Sequence, residues 1–128
     1  MEHERRLEIE EIESKVRHES IDARKIVEVA VAKRDDGTFV VRPASVLAGP
    51  GRIVLWVNCT NDVISGLVPA ALGEVHTLHE GGFVEALWLQ VPATTPSGSY
   101  RYDVEVTAAA AKHKCVGESS PEIIIKGR

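Results

Sequence analysis

Apolar residues change their spacing along this chain near residue 22. Before it they are sparse: Leu7, Ile9, Ile12 and Val16 stand among Glu, Arg and Lys, with no Gly or Pro. Ile12 and Val16 are four apart, and Glu11–Lys15 and Glu13–Arg17 are i,i+4 pairs in the orientation that supports a helix. The pattern predicts a solvated helix whose narrow stripe docks on the domain or on a second copy of the chain. A frayed charged tail is the alternative, because short helices are marginal alone. From Lys25 the period shortens towards two. "KIVEVAVAK" alternates in part, and "DDG" at 35–37 signals a turn. "TFVVRPASVLAG" follows, with Pro43 marking an edge or a bulge. In "RIVLWVNCT", Ile53, Leu55 and Val57 share one face and Val54 and Trp56 the other, which predicts a central strand buried on both sides. "NDVISGLVP" reads as a short strand, and "AALGEVHTLHEGG" as a loop with weak helical character. "FVEALWLQVP" and "SYRYDVEV" alternate again, and "PEIIIKG" closes the series.

Short strands separated by Gly/Pro turns predict an all-β protein, a Greek-key antiparallel β-sandwich of about seven strands. The length of 128 residues suits one domain. The division is a charged helix or tail over 1–22 and a single sandwich over 23–128. The net charge of -4 gives no bulk attraction for nucleic acid or an anionic membrane surface, although a local patch can differ. No apolar run approaches the roughly 18–20 residues of a membrane span. The first fifteen residues, "MEHERRLEIEEIESK", carry charge throughout and lack the apolar centre of a secretory signal. The expectation is therefore a cytoplasmic protein.

Three pieces of the chain resemble the cupredoxins, the small blue-copper sandwiches. Trp56-Val57-Asn58 lies in a "V-x-W-x-N" strand. Pro96-x-Gly98-x-Tyr100-x-Tyr102 resembles the strand that delivers the family's ligand cysteine, and "PASVLAG" its early strand. The closing "GESSPEIII" is similar to that of bacterial cupredoxin-like proteins. The resemblance covers about residues 38–127 and implies a cupredoxin-like sandwich. A blue-copper site needs two imidazoles, a thiolate and a weak axial ligand. The family places a His shortly after the Asn, but residues 59–66 contain none. Its cysteine position falls on Val104, or on Val106 with a slip, and the only Met is Met1. The family's ligands do not carry over, so the resemblance implies a copper-free member.

A different metal site is the second possibility. Cys59, Cys115 and His113, completed by His76 or His79, would suit tetrahedral Zn(II), or Cu(I) with fewer ligands, if the fold brings their loops together. Neither His113-x-Cys115 nor His76-x-x-His79 is a specific motif. Lys112 and Lys114 would lower the pKa of Cys115 but would also repel a cation. Two separate thiols, or a Cys59–Cys115 disulfide under oxidation, stay open. The expected cofactor is none, with Zn or Cu at that cluster as the alternative. There is no Gly-x-Ser-x-Gly, phosphate loop or dinucleotide-binding glycine pattern, and Ser119-Ser120 before Pro121 suit a turn, so no enzyme is expected. The leading expectation is a binding or interaction module that uses loops 59–66, 69–82 and 107–120. Its partner would be a protein or a second copy of the chain, met through the N-terminal helix.

Overall fold

The computed structural model describes residues 9–19, 26–117 and 121–126, and of 16–19 the backbone alone. These form one helix, α1 (Ile9–Glu19), and eleven strands. The strands are β1 (Ile26–Lys33), β2 (Phe39–Arg42), β3 (Ser45–Leu47), β4 (Ile53–Asn58), β5 (Val63–Leu67), β6 (His76–Glu80), β7 (Phe83–Gln90), β8 (Gly98–Arg101), β9 (Asp103–Ala108), β10 (Ala111–Lys114) and β11 (Glu122–Ile125). One layer is a five-stranded sheet in the order β2-β1-β4-β7-β6, and the other consists of two three-stranded sheets, β10-β9-β5 and β3-β11-β8. The main core lies between the layers. Val29, Val54, Trp56, Leu87 and Leu89 of the large sheet meet Ile64, Val104, Val106, Ile123 and Ile125 of the small ones. The fold is thus the expected all-β sandwich.

Two details differ from the expectation. The strands number eleven because two long runs divide between sheets. "TFVVRPASVLAG" leaves the large sheet as β2, bends at Pro43, which has no N–H to continue the ladder, and enters the other layer as β3. "SYRYDVEV" divides at Tyr102 into β8 and β9, one in each small sheet. Two further strands, β6 and β10, lie where loops were expected. Nor is the pairing wholly antiparallel: β1 pairs with β4, and β3 with β11, in parallel. The excursion through β3 returns the chain to the large sheet in the direction of β1. Alternation encodes the face of a strand but not its partner's direction.

The sheet's second face explains the two-sided burial of β4. Ile53, Leu55 and Val57 form a second cluster with Leu78, Ala86, Trp88 and Ile12 of α1. Ile12 is 1% exposed, whereas Ile9 is 47% exposed. The described part of the helix stripe therefore docks on the chain's own sheet, and Lys15 Nζ reaches Glu80 of β6 at 4.0 Å. Acidic Glu10 and Glu11 in the first turn suit the positive end of the helix dipole. Leu7 and the side chains of Val16 and Arg17 lie outside the described residues. No helix among the described residues is long and apolar enough to cross a membrane.

Candidate functional site

One end of the sandwich gathers the β1–β2 turn, the turn after β4 and the segment 115–117. Strand register brings them there, since Val31 pairs with Asn58 on one side and Val41 on the other. The Val41 N–H in turn donates to Val116 O at 3.0 Å. Gly37, at φ 93°, closes the β1–β2 turn in a conformation that favours glycine. Thr38 donates to Asp36 Oδ1 twice, from its N–H at 2.9 Å and its hydroxyl at 2.7 Å. Those two bonds hold the Asp36 carboxyl below its usual range.

Asn58 organises the turn where the blue-copper family would place its first histidine. Its Nδ2 donates to Val84 O at 2.8 Å and Asp62 O at 2.9 Å. Its Oδ1 accepts from Thr60 N–H at 2.9 Å and Thr60 Oγ1 at 2.7 Å. The turn is thus closed on itself by amide and hydroxyl groups. Val104 and Val106, the two positions on which the resemblance places the family's cysteine, are 1% and 0% exposed in the main core. This donor set does not fit a type-1 copper ion, which needs imidazole nitrogens and a thiolate there.

The four proposed metal ligands occupy four different settings. Cys59 is exposed, and its N–H donates to Val31 O at 2.7 Å. Cys115 is buried in the main core, and both thiols are free. β1 and β2 separate the end of β4, which Cys59 follows, from Val116, which bridges to Val40, while the Cys115 N–H bonds to Val104 O of the other layer. His113 is on β10 rather than in a loop, with its ring 5.5 Å from that of Phe39. His76 and His79 lie on β6, at the opposite edge of the large sheet from β2, and His76 stacks on Trp88 at 4.4 Å. Among the described residues there is no group of three or more His, Cys, Asp or Glu able to hold a metal ion. The lysines flanking His113 do not activate Cys115. Lys112 pairs with Glu105 at 4.0 Å and Lys114 with Asp103 at 3.9 Å across the β9–β10 ladder. Burial dominates at Cys115 and pushes its thiol up to about 11.

A feature that sequence reasoning missed lies along β2. A cavity of about 530 Å³ opens beside Arg34, Val40, Val41, Arg42, Pro43, Ala44 and Gly117. A neighbouring hollow of about 520 Å³ shares Arg34, Val40 and Arg42 and adds Ala32, Lys33, Asp35 and Asp36. Among the described residues no ion pair ties Arg34 or Arg42 to a carboxylate. The one signal in sequence was that Arg34 adjoins a predicted turn and Arg42 precedes Pro43 on the returning strand.

No protein-family model matches the chain, and no curated protein does. Among solved structures, a Sinorhizobium pseudoazurin is similar at a TM-score of 0.45 and 15% identity, over 80% of this chain and 75% of that one. Pseudoazurin is a cupredoxin.

Proposed function

We propose that this protein is a copper-free, cupredoxin-like binding module without a catalytic role of its own. The observation that carries this reading is the occupancy of the would-be copper position. A hydrogen-bonded Asn58–Thr60–Asp62 turn and aliphatic Val104 and Val106, at the positions the resemblance assigns to imidazole and thiolate, support it. The chain's remaining buried thiol, Cys115, sits in apolar surroundings that favour its neutral form. A rigid sandwich presenting turns and a groove at one end supports recognition of a ligand or partner. The experiment is a titration of the purified protein with Cu(II), followed by visible absorption. The expected result is no intense thiolate-to-copper charge-transfer band. A saturable band at one copper per chain, abolished by Cys115→Ser, would sink the reading.

A further inference from the structure

The chain's net charge is -4, yet among the described residues the cavity along β2 is lined by two arginines and no acidic residue. Its accessible apolar wall is Pro43 and Ala44, with buried Val40 and Val41 beneath them. A guanidinium presents five donors in a planar fork that matches the two oxygens of a carboxylate. Arg34 does feel the charge of Asp36, but that carboxylate is already held by the N–H and hydroxyl of Thr38. Arg42 has no carboxylate partner among the described residues. The volume, about 530 Å³, falls among small-molecule sites, which run roughly 300–1,000 Å³. A bare inorganic anion would use the arginines and leave the apolar walls wet. A neutral apolar molecule would cover the walls and leave the charges unanswered. We propose that the groove binds a small organic carboxylate, its charged head held by Arg34 and Arg42 and its apolar body laid on Pro43 and Ala44. The proposal gives a ligand class to the binding module and rests on that reading.

The test is an amide NMR titration of the whole chain with sodium benzoate, alongside benzyl alcohol and inorganic phosphate. The expected result is saturable benzoate shifts at residues 34–44 and Gly117. Benzyl alcohol and phosphate should each bind at least tenfold more weakly. Arg34→Gln/Arg42→Gln should weaken benzoate at least tenfold, Arg42→Lys should be intermediate, and Arg52→Gln, outside the groove, should change nothing. Both groove arginines are exposed, so the variants should keep the parent spectrum elsewhere, and the Lys variant preserves the test if the double variant is poorly folded. No saturable shift, equal affinity for either comparator, or unaltered benzoate affinity in the folded variants would overturn the proposal. A failed titration removes only the ligand class, whereas a copper–thiolate band removes the module reading whatever benzoate does.

Discussion

Asn58 shows how one side chain can hold a turn that the backbone alone leaves open. Both of its donors and its acceptor oxygen are used, and the residue is 1% exposed. Asn58→Ala strands several buried groups at once, and an unsatisfied buried polar group costs about 1–3 kcal/mol. The expected loss is about 2–4 kcal/mol by urea unfolding, at the upper end of ordinary point substitutions. A loss below about 1 kcal/mol would mean that water replaces the amide easily. Trp56 and Tyr102 make a contrasting pair. They meet edge to face at 5.2 Å in the core, while Trp56 Nε1 and Tyr102 Oη have no hydrogen-bond partner of ordinary geometry. Their contribution is burial and ring contact rather than hydrogen bonding.

The β9–β10 hairpin shows a local cost tolerated for register. Its turn is Ala109-Ala110, at φ 52° and 65°, both left-handed. Such turns match the twist of the flanking strands, and Asn-Gly suits them far better than alanine. The left-handed conformation costs a non-glycine residue roughly 1–2 kcal/mol. Ala109→Asn/Ala110→Gly should therefore raise stability by about 1–2 kcal/mol, read as a higher melting midpoint. An unchanged or lower midpoint would show that the turn's energy is set by something other than its dihedral angles. Gly66 is a different case. A Cβ there would come within 3.3 Å of Leu87 Cδ1, so the glycine lets β5 lie close against β7 of the other layer.

For the molecule as a whole, the joint between α1 and the large sheet links stability to pH. Glu28 of β1 has its carboxyl raised to about 7, first by a hydrogen bond to Glu13 of α1, then by partial burial and by Glu13's charge. The folded state therefore holds a proton that the unfolded chain releases near the ordinary value of 4.5. The stability that this bound proton contributes is present below 4.5 and is lost as pH rises to about 7. The expected result is a melting midpoint that falls between those pH values, with the slope reduced in Glu28→Gln. An identical slope in the variant would exclude the pair as its source. Glu122 acts in the opposite direction. Hydrogen bonds from Ser99 and Ser45 hold its carboxyl below the usual range, so its contribution tying β11 to β8 and β3 is present above 4.5 and lost as pH falls below it.

The strand faces were legible in the sequence because alternation records burial directly. The two-sided burial of β4 could be read from Ile53, Leu55 and Val57 against Val54 and Trp56, and Val104 and Val106 proved to share the buried face of β9, with Tyr102 before it in the same core. Folding in three dimensions settled what contacts distant in sequence control. Alternation says nothing of direction or layer, so the parallel pairing of β1 with β4 and the division of two runs between sheets were hidden. The docking of Ile12 needed the outer face of that sheet to exist. Cys115 looked activated beside two lysines, but the hairpin turns those lysines towards Glu105 and Asp103 and sends the thiol into the core. Arg34 and Arg42 belong to one groove because β1 and β2 fold back on each other and segment 115–117 closes beside them.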